Sequence, residues 1–166
     1  ILAKINHPNV LKFKHIKFHP NKVLLCFDYY PYDLKNYLKS QGKKLDNKTI
    51  ASIMYYVLKG LDHLHGQRIL HRDLKPHNIL INPETNDIKI ADFGLSRVYN
   101  IPIRPYTKEI LTLWYRSPEL LLGCNQYSIG VDIWSMGCIF GELFTGKTLF
   151  AQNDELSQTK LLFDVF

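Results

Sequence analysis

One short segment of the sequence, His71-Arg72-Asp73-Leu74-Lys75-Pro76-His77-Asn78, holds side chains that could do chemistry together. A carboxylate can accept a proton, an ammonium group can neutralise developing negative charge, and an amide oxygen can bind a hard cation. The next motif along the chain, Asp92-Phe93-Gly94, adds a second carboxylate beside a glycine, which gives the backbone conformational freedom. Together these residue types suit the transfer of an anionic group, because such a reaction needs positioning and charge stabilisation.

The order of these two motifs, followed by Ser117-Pro118-Glu119, resembles the catalytic loop, the magnesium-binding triplet and the end of the activation segment of serine/threonine protein kinases. The resemblance implies that Asp73 orients the substrate hydroxyl and accepts its proton, and that Lys75 neutralises charge on the transferred phosphoryl group. It also implies that Asn78 and Asp92 hold magnesium, with ATP as the phosphoryl donor. The alternative interpretation is that Asp73 and Asp92 are ordinary carboxylates of surface loops.

Longer stretches narrow the resemblance to the cyclin-dependent kinases of the CMGC group. These stretches are His7-Pro8-Asn9, residues 106–119 and Val131-Asp132-Ile133-Trp134-Ser135. The motif Thr-x-Tyr, which the related mitogen-activated kinases carry in the activation segment, does not occur in residues 92–119. The resemblance implies protein substrates, and a cyclin bound through a helix upstream of Ile1 and through the activation segment.

Thr107 is implied by the resemblance to be the site at which an activating kinase adds phosphate. A phosphate adds about two negative charges, which Arg72 and Arg97 could gather and so order the loop. The alternative interpretation of Thr107 is a plain exposed threonine. The same region resembles the pocket that favours proline after the target residue, although leucine stands where the family usually has valine; the pocket residues are Ile110, Leu111 and Arg116.

The ATP site is implied by a match to the kinase hinge over residues 27–30. Backbone groups of Asp28 and Tyr30 would contact the adenine edge, and Phe27 would close the back of the pocket. Asp33 resembles the carboxylate that meets the ribose, and Leu80 the floor beneath the adenine. Phe27 and Leu80 could equally be ordinary core residues, because a pocket wall is also core.

Hydrophobic periodicity predicts the elements that must position these residues. Strands are predicted over residues 10–18 and 23–29, and a hairpin joins residues 79–81 to 88–90. A helix is predicted with one apolar face, formed by Ile50, Ile53, Met54, Val57, Leu58, Leu61 and Leu64, with Asp46 or Asn47 as its N-cap and Gly66 at its end. Residues 92–119 are predicted to form a long ordered loop, residues 131–144 an apolar central helix, and a third helix starts at residue 155.

The predicted fold is therefore α+β and kinase-like, with the last strands of the small lobe, the hinge, and the mainly helical first part of the large lobe. We assign residues 1–166 to one kinase domain truncated at both ends, because no Gly-rich phosphate loop or ATP-binding lysine precedes Ile1. We expect the 166 residues alone to be inactive. The alternative is a catalytically dead remnant of the kinase fold that docks partners.

Composition excludes several other classes of protein. The 166 residues are 46% hydrophobic and 22% charged, which is ordinary for a globular chain and unlike a disordered one. The net charge of +6 and the lysines of residues 12–22 could indicate nucleic-acid binding. We favour the interpretation that these lysines form the solvated face of a strand pair, whose buried side would be Leu11, Phe13 and residues 23–27. We therefore expect no nucleic-acid partner.

The cysteines and the charges within the longest apolar stretch bear on location. Cys26, Cys124 and Cys138 are widely spaced, which indicates neither a disulfide framework nor a zinc site and suits a reducing compartment. Asp132 and Glu142 interrupt the apolar stretch of residues 129–144, which argues against a membrane span. We expect an intracellular protein of the nucleus, the cytoplasm or both, with no membrane partner.

Overall fold

The computed structural model describes residues 5–42, 44–93, 96–98, 112–124 and 128–165. Antiparallel sheets occupy the first part of this chain and helices dominate the rest, which confirms the α+β, kinase-like class predicted above. The sheets pair β1 (Phe13–His19) with β2 (Lys22–Phe27), β3 (Tyr32–Asp33) with β5 (Ile79–Asn82) and β6 (Asp87–Ile90), and β4 (Ile69–Leu70) with β7 (Arg97–Val98). The helices are α1 (Leu34–Gln41), α2 (Asn47–Gly66), α3 (Pro118–Leu121), α4 (Gly130–Thr145) and α5 (Glu155–Val165).

The first predicted strand is shorter than expected. β1 begins at Phe13 because Val10 and Leu11 pair with β6 instead of with β2. Val10 forms a parallel bridge with Ile90, and the Leu11 N–H donates to the Ile90 carbonyl at 2.8 Å. The residues before β1 are therefore joined to the same hairpin, β5–β6, that carries the predicted adenine floor.

The two-stranded ribbon β1–β2 is exposed on its apolar side as well as on its basic side. Val23, Leu24 and Leu25 have 55%, 37% and 48% of their surface exposed. The expectation that residues 23–27 supply a buried face is wrong for these residues, because β1 and β2 pack mainly against each other in the described part of the chain. The lysines of residues 12–22 are solvated, as expected.

The segment before β1 packs on α2 through a pair of stacked histidines. The rings of His7 and His63 lie 4.8 Å apart with an angle of 23° between their planes. Nδ1 of His7 accepts the backbone N–H of Asn9 at 3.1 Å, which holds the turn that leads into Val10. The close approach requires a glycine on α2, since a Cβ on Gly60 would lie 2.7 Å from the Asn9 carbonyl oxygen.

This histidine pair predicts a dependence of stability on pH. Burial, then His63, Lys59 on α2 and Lys89 on β6, lower the pKa of His7 from its ordinary value of 6.5, with Asp62 opposing. As the pH falls below 6.5, the unfolded chain therefore takes up the His7 proton before the folded chain does. The contribution of neutral His7 to the free energy of unfolding is complete above pH 6.5, and it is lost as the pH falls through the lowered pKa of His7.

His7→Gln should accordingly flatten the acid side of the stability profile, as measured by urea unfolding of the protein between about pH 7.5 and about pH 5.5. The matched control is His19→Gln on the exposed strand β1, which should keep the wild-type pH dependence. If His7→Gln loses as much stability on acidification as the wild type does, His7 is not the titrating group.

Helix α2 confirms both predicted boundaries, and it confirms the predicted apolar face except at Leu58, which is 40% exposed. Oδ1 of Asp46 accepts the backbone N–H groups of Lys48 and Thr49 at 2.9 and 3.0 Å, which is the N-cap that the sequence predicts. The helix ends at Gly66. Its buried face, which packs on β6 and α4, consists of Ile50, Ile53, Val57, Gly60, Leu61 and Leu64.

Helix α4 is apolar but only partly enclosed by the described residues. Val131, Ile139 and Leu143 are buried on the side that faces α2, together with Asp132 and Glu142. On the other side Ile133, Phe140 and Phe144 keep 48%, 47% and 58% of their surface exposed, so the prediction of a central helix holds for one face. Among the described residues no helix combines the length and apolar character that a membrane span needs.

Candidate active site

Three of the residues predicted to be catalytic meet at one carboxylate oxygen. Nζ of Lys75 lies 2.7 Å from Oδ2 of Asp73, and Nδ2 of Asn78 donates to the same oxygen at 3.0 Å. Asn78 also donates to the backbone carbonyl of Asp73 at 2.7 Å. A single 3₁₀ turn over Pro76–Asn78, with the proline in its first position, turns the chain back so that these groups can meet.

His71 braces this cluster from the buried side. Its Nδ1 accepts the backbone N–H of Asp73 at 3.3 Å, and its Nε2 donates to the Ala91 carbonyl at 2.8 Å. The proton must lie on Nε2, because an amide N–H can only donate and a carbonyl can only accept. The ring is fully buried and lies 5.2 Å from that of Phe93. His71 therefore ties the loop of Asp73 to the segment that carries Asp92.

A buried carboxylate on α4 holds the start of the same loop. Oδ2 of Asp132 accepts the backbone N–H of His71 at 2.9 Å and Nε2 of His65 at 2.8 Å, while Oδ1 accepts the backbone N–H of Arg72 at 2.8 Å. Arg72 has a φ of 70°, in the left-handed region that costs free energy for any residue except glycine. The two hydrogen bonds from backbone to Asp132 stabilise this strained turn.

Asp92 follows directly on a strand that is bonded to the loop. The backbone N–H of Ala91 donates to the carbonyl of Asn78 at 2.8 Å, which ties the residue before Asp92 to the end of the Asp73 loop. Asp92 is exposed and has a φ of 60°, so its backbone turns sharply at this point. Nδ2 of Asn78 is engaged by Asp73, and a cation ligand from Asn78 must therefore be its carbonyl oxygen.

These donors fit magnesium, which prefers oxygen ligands and usually keeps waters or substrate phosphates in its shell. Asp92 offers a carboxylate and Asn78 an amide oxygen, both of the hard type. No group of three or more His, Cys, Asp or Glu side chains in the described ranges could hold a metal. An ion here would thus complete its coordination with nucleotide phosphates rather than with a protein cage.

The predicted hinge lies between β2 and β3. Phe27 ends β2 and meets Phe13 edge to face, with 6.0 Å between ring centroids. Asp28 forms an ion pair with Lys14 on β1. The Tyr30 hydroxyl donates to Oδ2 of Asp87, the first residue of β6, at 2.6 Å.

Asp33 and Leu80 are brought together by the register of β3 and β5, in which they are paired. Asp33 also caps α1, because its Oδ1 accepts the backbone N–H of Asn36 at 2.8 Å and its Oδ2 accepts Nδ2 of Asn36 at 2.7 Å. The carboxylate predicted to meet a ribose is therefore held at the start of α1, at the end of the hinge and beside the predicted adenine floor.

The segment that ends the long loop is fixed by α4 and α5. The Tyr115 hydroxyl donates to Oε2 of Glu142 at 2.5 Å, and Nζ of Lys35 contacts Oε1 of the same carboxylate at 2.7 Å. Burial, and then this hydrogen bond, raise the pKa of Tyr115 far above its ordinary value, so the hydroxyl stays a donor. Arg116, predicted for the proline pocket, pairs with Glu155 at 3.2 Å.

Several predicted residues lie outside the described part of the chain. They are Gly94, Thr107, Ile110 and Leu111, together with the side chain of Arg97. The side chain of Arg72 is described and lies half-buried at the head of the Asp73 loop. The phosphorylation site, the arginines predicted to gather its phosphate and the proline pocket therefore stay predictions.

Comparison with known proteins matches residues 1–165 to the protein kinase domain. The chain belongs to the protein kinase family. It is 46% identical over 166 residues to "Cell division control protein 2 homolog 3" of Trypanosoma brucei brucei. This match covers 100% of the chain and 52% of the relative. It is also 46% identical to "Cyclin-dependent kinase B2-1" of Arabidopsis thaliana, over 96% of the chain and 53% of the relative. The chain thus spans about half the length of these relatives, and its sequence is of the cyclin-dependent type.

Two carboxylates important to this kinase site were not predicted as site residues. Asp132 was considered as a charge within an apolar stretch and as part of a family motif, and Glu142 only as such a charge, yet each is buried and bonds to the segments that carry the site. The sequence did contain a signal, namely two charged residues within an apolar helix. A charged side chain is buried on such a helix only when it has partners. Its partners could not be named from the sequence, since His71 and Tyr115 are far from α4 along the chain.

The kinase loop also contains a buried hydroxyl that predicts a stabilising substitution. Ser117 is fully buried, and none of the described residues forms a hydrogen bond with its Oγ. Burial of an unpaired hydroxyl costs about 1–3 kcal/mol. Ser117→Ala should therefore raise the free energy of unfolding by about 1 kcal/mol in a urea titration.

Ser135→Ala is the matched control for this substitution. Ser135 is also buried, but its Oγ contacts the carbonyl oxygens of Tyr115 and Val131 at 2.7 and 3.1 Å. Loss of this hydroxyl should lower the free energy of unfolding by about 1 kcal/mol. Destabilisation by both substitutions would show that Ser117 has a partner that accepts or donates a hydrogen bond.

Proposed function

We propose that the full-length protein containing this chain is a serine/threonine kinase that transfers the γ-phosphoryl group of ATP to protein substrates. The observation that carries the proposal is the Asp73 carboxylate, which is held by Lys75 at 2.7 Å and by Asn78 at 3.0 Å. Membership of the kinase family supports the reaction class, and the intact set Asp73, Lys75, Asn78 and Asp92 argues against decay of the site.

Asp73 is the residue that we assign to the substrate hydroxyl. Both of its side-chain contacts fall on Oδ2, so Oδ1 is the oxygen available to orient the hydroxyl and take its proton. Lys75 lies against Oδ2 with its ammonium group, where it can neutralise charge on the transferred phosphoryl group. Magnesium, held by Asp92 and the Asn78 amide oxygen, would neutralise the phosphates of ATP.

The ATP site that we propose extends from Phe27 to Leu80. The backbone of Asp28 and Tyr30 would contact the adenine, with Leu80 beneath it and Phe27 at the back. Asp33, fixed as the cap of α1, would meet the ribose. The pairing of Asp33 with Leu80 across β3 and β5 supports one continuous site.

We propose that Lys75 and the end of the activation segment determine which substrates are phosphorylated. Lysine at this position is typical of serine/threonine kinases, and we propose that Ile110, Leu111 and Arg116 favour proline after the target residue. Activation is proposed to need a cyclin and phosphorylation of Thr107 by another kinase, with Arg72 and Arg97 gathering the phosphate. We place the protein inside the cell, in the nucleus, the cytoplasm or both.

A peptide panel tests this assignment on the full-length protein bound to a cyclin and phosphorylated at Thr107. Peptides that differ only at the target site carry Ser-Pro, Thr-Pro, Tyr-Pro or Ser-Ala. We expect kcat/KM to be highest for Ser-Pro and Thr-Pro, and at least about 100-fold lower for Tyr-Pro. Equal use of the tyrosine peptide would contradict the serine/threonine assignment, and equal use of Ser-Ala would contradict the proline pocket.

The same panel separates the kinase from the docking remnant considered above. A folded full-length protein that binds partners but phosphorylates none of the peptides would support the remnant. We expect the 166 residues alone to transfer little or no phosphate, since they span about half the length of the relatives.

A further inference from the structure

Three separate segments of the chain are joined through Asp87 and Lys89, which both lie on β6. The Tyr30 hydroxyl donates to Oδ2 of Asp87 at 2.6 Å, and Nζ of Lys89 lies 3.2 Å from Oδ1. The same ammonium group donates to the Pro8 carbonyl at 2.5 Å and lies 6.0 Å from the centre of the Tyr30 ring. We call Tyr30, Asp87 and Lys89 the hinge latch.

The contacts of the latch are better defined than those of an ordinary surface ion pair. The Lys89 side chain is 18% exposed and that of Asp87 is 39% exposed, and each oxygen of Asp87 has its own donor. Hydrogen bonds to an ionised group are stronger than neutral ones, and partial burial reduces screening by solvent. Burial, and then the hydrogen bond to Asp87, raise the pKa of Tyr30 well above its ordinary value, so the hydroxyl remains a donor at all physiological pH values.

The latch acts on one end of a hinge whose other end is also held. Asp28 is paired with Lys14 on β1, while Tyr30 is bonded to Asp87 on β6. The side chains of the two residues whose backbones we assign to the adenine edge are thus tied to two different strands, β1 and β6. The Lys14 pair is about half exposed and contributes little, so the latch is the stronger of the two restraints.

We propose that the hinge latch presets the hinge backbone for the adenine edge of a nucleotide, which makes Asp87 and Lys89 positioning residues for nucleotide binding. The inference rests on the proposed function, because it assumes that the nucleotide binds at the hinge. A backbone that is already ordered loses less conformational entropy when ligand binds, so the latch increases affinity without touching the ligand.

A positioning role and a merely structural role predict different measurements. If the latch presets the hinge, its loss raises the Kd and KM for ATP and leaves kcat and the KM for the peptide unchanged. If it only holds the fold together, its loss lowers the melting temperature and the fraction of active protein, while the Kd for ATP of the folded fraction does not move.

The experiment compares Tyr30→Phe with Tyr55→Phe in the full-length protein. Both substitutions remove one hydroxyl and keep the ring, but Tyr55 lies on α2, is 53% exposed and belongs to neither the latch nor the hinge. We expect Tyr30→Phe to weaken ATP binding about threefold to tenfold in titration calorimetry, and Tyr55→Phe to have no effect. Asp87→Ala should weaken binding to the same extent, and the double variant should be no weaker than Asp87→Ala alone.

The melting temperature of each variant is measured as well, so that the Kd for ATP is compared at a temperature at which every variant is folded. Wild-type affinity for ATP in both Tyr30→Phe and Asp87→Ala would overturn the inference and leave the proposed function standing. Additive effects in the double variant would also overturn it, because the two residues would then act independently. A folded wild-type protein that binds no ATP would overturn the proposed function, and the inference with it.

Discussion

Asp73→Asn is expected to reduce the kcat of the full-length protein about 1,000-fold while the Kd for ATP changes less than about threefold. The amide is nearly the same size as the carboxylate, and its oxygen can still face Lys75 and Asn78 across the contacts of 2.7 and 3.0 Å. It cannot accept the hydroxyl proton as a carboxylate does, so the loss falls on the chemical step. Steady-state kinetics with a Ser-Pro peptide and calorimetry with ATP measure the two quantities.

Asp164→Asn is the matched control for the Asp73 substitution. It makes the same chemical change on an exposed residue of α5, and both kcat and nucleotide affinity should match the wild type. If Asp73→Asn keeps more than about a tenth of the wild-type kcat, Asp73 is not the proton acceptor.

Asp132→Ala is expected to lower the free energy of unfolding by about 3–5 kcal/mol. Asp132 is fully buried and accepts hydrogen bonds from the backbones of His71 and Arg72 and from the His65 ring. Its removal leaves three donors without their acceptor and frees the left-handed turn at Arg72. Urea unfolding measures the change, and loss of kinase activity should accompany it because the turn leads directly into Asp73.

Asp62→Ala on the exposed side of α2 provides the comparison for this prediction, and it should change stability by less than about 0.5 kcal/mol. The loss of stability for Asp132→Asn should lie between those of Asp62→Ala and Asp132→Ala. The amide oxygen of the asparagine can still accept a hydrogen bond, whereas its NH₂ group would face an N–H donor and could not bond to it. A loss below about 1 kcal/mol for Asp132→Ala would mean that the loop does not depend on this carboxylate.

The centre of the site could be predicted because its geometry is local. Asp73, Lys75 and Asn78 lie in one short segment, and the 3₁₀ turn that brings them together begins at a proline that is visible in the sequence. Helix α2 was predictable for the same reason, since its cap and its apolar face depend on residues within the helix.

Contacts between distant segments could not be predicted in this way. Asp132 reaches His71 across 61 positions in the chain, and Tyr30 reaches Asp87 across 57. The apolar residues of β2 were expected to be buried because periodicity records only that a face is apolar, whereas burial needs a partner that periodicity does not identify. The strand bounds failed at Val10 because its partner is β6 rather than β2.

The most direct test of the account is transfer of labelled phosphate from ATP to a Ser-Pro peptide by the activated full-length protein. With γ-labelled ATP and magnesium, the account predicts labelled phosphoserine, and it predicts no label after chelation of the metal or with α-labelled ATP. Folded, cyclin-bound and Thr107-phosphorylated protein that binds ATP but leaves the peptide unlabelled would contradict the claim that the Asp73 loop performs phosphoryl transfer.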